Sequence, residues 1–441
     1  MPVRVLLLAL LVAPLIPPAA AAADLELLRA TTDRHYPDLE KLYTDIHANP
    51  ELSLQEANTA KRLAAELRAA GYDVTEKVGG HGVVAVLKNG PGKTLLIRGD
   101  MDALPVKEET GAAYASKVVT TDPAGKNVPV MHACGHDVHV TCLVGVARAM
   151  VAHKDKWTGT LVLMGQPAEE LVRGAKAMLD DGLFTRFPRP DFALALHVDA
   201  EIPAGKVGVI SGFAMANSDS AEIVVRGVGG HGAAPHTTRD PVVIAAQTVL
   251  NLQIVRSREI RPTDPVVITV GSIHGGTKNN IIPDDVTLLI TVRTYTDEVR
   301  AKTFKAIERI VKGTAATAGV PTELEPKITW REGTPALYNT PELTDRMTGV
   351  FRKTLGDDAV VKKDPSMGAE DFGLLGRQEP KIPICMFRLG SVSKDKYDAA
   401  KNGGPALPSL HSSKYLPDRE PTIKTGVMTM TAAAIDLLKR E

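Results

Sequence analysis

Three short apolar segments, far apart in the chain, each run into polar residues at their carboxyl ends. Thr94–Arg98 leads into Gly99-Asp100-Met101-Asp102-Ala103-Leu104-Pro105, Thr160–Met164 into Gln166-Pro167-Ala168-Glu169-Glu170, and Phe192–Leu196 into His197. Their length and apolar character suit buried strands, the first of them β-branched as well. Val138–Val151, between the first two, suits a helix. Open α/β sheets bind ligands just outside the carboxyl ends of their strands. The expected fold class is therefore α/β, a mixed sheet flanked by helices, with Asp100, Asp102, Glu169, Glu170 and His197 brought to one edge.

Between the first two segments lies Met131-His132-Ala133-Cys134-Gly135-His136-Asp137-Val138-His139. Cys134 and His136 are two apart, so on a sharply turned backbone both can face one point. Gly135 has no side chain to oppose such a turn. A thiolate with a neutral imidazole suits zinc, manganese, cobalt or nickel. A Cys-x-His alone also fits a buried thiol beside satisfied histidines. Glu169-Glu170, His197 and His411 add the remaining donors a metal centre needs. Adjacent glutamates divide well between two tasks, Glu170 binding metal and Glu169 taking a proton from metal-activated water. The same pair would also suit a helix start, where carboxylates meet the dipole. Asp100 and Asp102 fit the orientation of a ligand histidine or the capping of a turn. His132 and His139 fit structural places around the cluster.

The amino terminus has one arginine, an apolar run to Ile16, then Pro17-Pro18 and alanines to Ala23. This reads as a signal peptide over residues 1–23, too short for a comfortable membrane span, and predicts an exported protein, periplasmic or secreted, with no membrane contact after processing. The remaining chain exceeds what one core usually organises, so two domains are expected. Lys plus Arg and Asp plus Glu balance at 52 each, which argues against a nucleic-acid partner. The three cysteines, Cys134, Cys142 and Cys385, are too few for a disulfide scaffold. Ser53-Leu54-Gln55-Glu56 matches a capping box before a helix over 57–70.

Beyond Ser211 the pattern becomes strand, helix, strand, strand, helix, strand: Ala221–Val225, Pro241–Val255, Val266–Val270, Val286–Val292, Asp297–Ala318 and Glu323–Trp330. That order is the ferredoxin-like α+β sandwich. The expected domains are a catalytic first part over 24–216, an inserted dimerisation or lid domain over 217–331, and a catalytic second part over 332–441. In the insert, Gly227-Val228-Gly229-Gly230-His231-Gly232 presents His231 as a possible oxyanion donor. Asn280 is placed to hydrogen-bond substrate and Arg293 to pair a carboxylate. Polar motifs return at Met367-Gly368-Ala369-Glu370-Asp371-Phe372-Gly373 and Leu410-His411-Ser412-Ser413-Lys414-Tyr415. Gly368 joins Asn280 and Arg293 as a candidate substrate contact.

Taken together, these motifs resemble the metal-dependent aminoacylase and carboxypeptidase superfamily, in the branch of hippurate hydrolase, indole-acetyl-amino-acid hydrolase and N-acetyl-diaminopimelate deacetylase. The matching pieces run in order over nearly the whole chain. The resemblance implies a metallopeptidase-like catalytic domain and two divalent metals, Mn, Zn, Co or Ni, held by Cys134, His136, Glu170, His197 and His411. It implies that Cys134 bridges them, that Glu169 is the general base, and that the insert dimerises and lends His231 to an active site of its own or its partner subunit. Peptidase branches carry His-x-Asp where this chain has Asp100-Met101-Asp102, and they lack a cysteine ligand. That departure argues against a general di- or tripeptidase.

The expected function is a metal-dependent amidohydrolase that cleaves the amide of N-acyl or N-aroyl amino acids as a homodimer. The rival within its class is an exported carboxypeptidase or dipeptidase on short peptides. The rival outside it is a non-catalytic periplasmic protein binding metal or amino acid, which would have no use for the spare carboxylate of Glu169.

Overall fold

A computed structural model describes residues 18–331 and 333–440. Along the chain the principal elements are α1 (Pro18–Ala48), α2 (Ala57–Ala69), β1 (Asp73–Val78), β2 (Gly82–Asn89), β3 (Thr94–Asp100), α3 (His136–Ala152), β4 (Gly159–Gln166), β5 (Phe192–Pro203) and β6 (Val207–Val209). They continue with β7 (Asp219–Arg226), α4 (Pro241–Ile254), β8 (Val266–His274), β9 (Asp285–Thr294), α5 (Asp297–Thr317), β10 (Lys327–Trp330), α6 (Pro341–Leu355), β11 (Val360–Lys362), β12 (Ile384–Val392) and α7 (Arg419–Leu438).

The larger sheet has eight strands in the order β1-β2-β4-β3-β5-β12-β6-β11. Its centre, β4-β3-β5-β12, is parallel, while β2 joins β4 antiparallel. Central strands buried on both faces read as continuous apolar runs, and every residue of β12 is buried. Alternate side chains feed two cores, as the pleat requires. Leu95 and Ile97 of β3 face Leu39, Leu63, Leu143, Phe351 and Val427 on the helices of one side. Leu96 faces Met164, Met178, Phe372 and Met386 on the other.

The second sheet is antiparallel, in the order β8-β9-β7-β10. Helices α4 and α5 supply its core, with Ile244, Ile307 and Val311 against Ile223, Val225 and Leu288. The spatial order matches the alternation read from the sequence, with one difference. Pro321 starts a short 3-10 turn, Thr322–Leu324, so the last strand begins at Lys327 rather than Glu323.

Two further expectations are corrected. Ser53 and Glu56 do not form a capping box. Ser53 Oγ donates to Asp102 Oδ2 at 2.6 Å, and Glu56 accepts the Ala168 N–H at 2.7 Å. The free N–H groups of Asn58 and Thr59 are met by Glu51, at 3.1 and 2.7 Å. The export reading is withdrawn as well. Helix α1 runs unbroken through the expected processing point between Ala23 and Asp24, whereas cleavage favours exposed, irregular chain. Most of the expected signal segment, residues 1–17, lies outside the described residues. No described helix is long and apolar enough to cross a membrane.

Candidate metal centre

The parallel register sets β3, β4 and β5 side by side, with Asp100 level with Gln166. His197 sits inside β5 rather than after it, because the strand continues to Pro203. Helix α3 begins at His136, and the preceding Gly135 has φ +80°, in the left-handed region. A Cβ there would lie 2.6 Å from Val198 Cγ2, so both the turn and the close approach need glycine.

This turn brings Cys134 Sγ to 3.6 Å from His197 Nε2. His136 Nδ1 meets the Asp102 backbone oxygen at 2.8 Å and Oδ1 at 3.2 Å, which leaves Nε2 facing inward. That Nε2 lies 3.9 Å from both Glu169 Oε2 and Glu170 Oε1. His411 Nε2 reaches Glu170 Oε1 at 3.5 Å. The backbone N–H of His411 donates to Ala133 O at 2.8 Å, fastening its loop beside Cys134. Donor atoms of Cys134, His136 and His197, of Cys134, Glu170 and His411, and of His136, Glu169 and Glu170 form groups within 4.8 Å.

The fit to metal is chemical as well as geometric. His136 Nε2 and Glu170 Oε1 are buried with no hydrogen-bond partner, a costly arrangement unless something else occupies their lone pairs. Burial, then the charge of Glu170, pushes the Cys134 thiol well above its ordinary range, and burial, then the neighbouring His139 and Arg388, pushes His197 well below its own. A divalent cation offsets the first, because a coordinating thiol is deprotonated, and suits the second, because a coordinating imidazole is neutral. Burial, then Glu370 and Glu170, raises the carboxyl of Glu169.

The loop after β4 is strained. Ala168 and Val172 hold φ of 51° and 50°, and His411 holds 67°. Non-glycine residues in this region cost on the order of 1–3 kcal/mol each and persist where the surroundings force them. Glu56 provides part of that force through Ala168.

Behind the donors lies a buried network that the sequence reading did not identify. Arg98 donates to Asp100 at 2.6 Å, Gln166 at 2.9 Å, Glu370 at 2.7 Å and Asp371 at 3.4 Å. Asp100 also bonds His139 Nδ1, whose Nε2 accepts the Val198 N–H at 2.9 Å. His139 thereby ties β3 to the backbone beside His197. The one local signal for Arg98 is a charged residue inside an otherwise apolar strand. His132 is buried with neither ring nitrogen partnered, and burial pushes it down to about 4.

Cys134, Glu169, Glu170, His197 and His411 open on a cavity of about 1530 Å³ that Arg293 and Gly368 also line. His231 and Asn280 do not line it. Both are exposed, on a small hairpin where His231 pairs with Ile281 and its Nδ1 accepts the Ala233 N–H at 3.0 Å.

Residues 96–403 match peptidase family M20/M25/M40. Thermostable carboxypeptidase 2 of Saccharolobus solfataricus is 38% identical over 394 residues, 88% of this chain and 93% of that protein. Hippurate hydrolase of Campylobacter jejuni is 38% identical over 384 residues, 86% and 91% of the two chains. The crystal structure of YXEP from Bacillus subtilis, described as a dinuclear metal-binding peptidase of the M20 family, superposes with a TM-score of 0.74 at 27% identity, covering 93% of this chain and 99% of the other.

Proposed function

This chain belongs to the M20/M25/M40 peptidase family, and from that premise we propose that it is a metal-dependent amidohydrolase acting on N-acyl and N-aroyl amino acids. The branch read from the motifs agrees with the hippurate hydrolase match. One observation carries the reading. Two buried, unpartnered donor atoms, His136 Nε2 and Glu170 Oε1, face the space shared by Cys134, His197 and His411, with a spare buried carboxylate beside them.

In this reading Cys134, His136, Glu170, His197 and His411 hold two divalent ions. The bound ions supply Lewis acidity and lower the pKa of water to about 7. Glu169 accepts the proton of the attacking water and delivers it to the leaving amine nitrogen, a task its raised pKa suits. Asp102 fixes His136 through its Nδ1, and Asp100 acts one step back, through His139. Arg293 and Gly368, on the cavity wall, receive the α-carboxylate end of the substrate.

Residues 217–331 form the inserted domain in this reading, and they supply a dimer interface and a lid. Helix α4 exposes Val242, Val243, Leu250 and Ile254, and the edge strand β8 exposes Ile273. An apolar helix face beside an open edge suits pairing with a second copy. His231 and Asn280 then act at the metals of the partner subunit, or at their own after closure, with His231 donating to the developing oxyanion.

A second reading, a carboxypeptidase on short peptides, is favoured by the match to thermostable carboxypeptidase 2. The two are separated by comparing N-acetyl, N-benzoyl and dipeptide amides of the same amino acids, with Mn, Zn, Co and Ni added in turn. Faster turnover of the acyl amides supports the first reading. Turnover confined to peptides replaces it with the second.

A further inference from the structure

The protein has two buried guanidinium groups near the metal centre, and they are treated differently. Arg98 is surrounded by three carboxylates. Arg388 is 9% exposed and, among the described residues, has no ion-pair partner. Its one hydrogen bond runs from Nη2 to the thioether of Met215 at 2.9 Å, and sulfur is a weak acceptor. A buried charge left in this state is costly unless an anion joins it. Arg388 lies on β12 level with His197 on β5, and it lines the same cavity as Cys134, Glu169 and His411. Among the described residues no carboxylate fills its remaining donors, and it faces the cavity that the metal donors share.

We propose that Arg388 receives a second carboxylate of the substrate, so that the enzyme selects N-acyl amino acids carrying an anionic group besides the α-carboxylate. The proposal rests on the preceding reading, in which Arg293 takes the α-carboxylate. Arg388 lines the same cavity, on the large sheet instead of the small one. A guanidinium fork matches a carboxylate with two parallel hydrogen bonds. The second carboxylate belongs either to the acyl group or to the amino-acid side chain, and both sources offer Arg388 the same chemistry.

The test uses the metal-loaded full chain and two matched pairs. N-succinyl-alanine against N-butyryl-alanine reads the acyl side, and N-acetyl-glutamate against N-acetyl-glutamine reads the side-chain side. In at least one pair the charged member should be preferred in kcat/KM by about ten- to a hundredfold, the worth of a charge-assisted hydrogen-bonded pair. Arg388→Gln should erase that preference, chiefly through KM, and leave the neutral member within about threefold of wild type. Arg388→Lys should keep part of it and serves if the glutamine variant does not fold. Equal rates within both pairs in the wild type, or a preference that survives Arg388→Gln, would overturn the proposal. If no acyl amino acid is cleaved but dipeptides are, the preceding reading fails, and Ala-Glu against Ala-Gln then tests Arg388 in the same way.

Discussion

The metal end of the large sheet and the His231 hairpin of the small one are built on opposite terms. At the first, every donor except His411 is buried or nearly so, His136 Nδ1 is held by Asp102 and His197 Nδ1 by the Val198 backbone oxygen at 2.8 Å, and left-handed backbone at Ala168, Val172 and His411 is held in place. At the second, His231 and Asn280 are exposed and bond only within their own hairpin. One half of the site is preorganised, as electrostatic catalysis requires. In the proposed reading the other half arrives by closure or from a second copy. Water activation should therefore survive changes to the hairpin, and metal binding should not depend on it.

The largest effect expected is on the preorganised side. Glu169→Gln should keep fold and metal content and lower turnover about 100- to 10,000-fold, the range for loss of a general base. Metal analysis and steady-state kinetics on one preparation check it, and a near-normal rate with metal present would remove Glu169 from its role. Next is the network behind the donors. Arg98→Met would leave Asp100, Glu370 and Asp371 buried without their cation. Breaking such a group typically costs about 3–5 kcal/mol, so the variant should melt far below wild type or fail to accumulate. A wild-type melting temperature would mean that the carboxylates share protons instead, a possibility raised by Asp371, which burial and then Glu370 push up to about 7.

On the exposed side, His231→Ala should cut turnover about 100-fold or more, as for loss of an oxyanion donor, with metals still bound. Mixing it with Glu169→Gln separates the two routes. Activity recovered in the mixed dimer shows contribution in trans. No recovery with mixed dimers present shows that each chain closes on itself. Full activity of His231→Ala would end the comparison, because the exposed half would then have no part in the chemistry.

What the sequence disclosed follows from the same division. Cys134 and His136 were legible because ligand residues two apart need only a local turn. Glu169 and Glu170 were legible because an apolar strand announces its own end, whereas His197 lies inside a strand that runs on to Pro203. Arg98 stood in plain view in an apolar strand, but its partner Glu370 lies 272 residues away, and no local pattern spans that distance. Ser53 and Glu56 misled because their spacing satisfies a helix cap, while each side chain has a distant partner. The second sheet was legible from its alternation of elements, since that order admits few arrangements. Whether His231 reaches the metal donors, in its own chain or in a second copy, was not, because no local pattern carries that information.

The smallest effect concerns His47, on the far side of Asp137 from the metal donors. His47 Nδ1 meets Asp137 at 2.7 Å and Nε2 meets Glu108 at 3.1 Å, with Tyr43 and Tyr114 packed on the ring. Burial lowers its pKa, but hydrogen bonds to Asp137 and Glu108 and the charges of both outweigh it and raise the value to about 9. Both carboxylates are correspondingly held low. A group raised above its unfolded pKa, here 6.5, contributes its full stabilisation below that value and loses it as pH climbs through about 9. The shift corresponds to roughly 3 kcal/mol at most. His47→Gln removes the charge at every pH. Its melting temperature should fall well below wild type at pH 6.5, and the two should converge by pH 9.5 as the wild type gives up its proton. A gap of constant width from pH 6.5 to 9.5 would mean that His47 holds the start of α3 as a neutral hydrogen-bonding ring, leaving this wall of the preorganised half insensitive to pH.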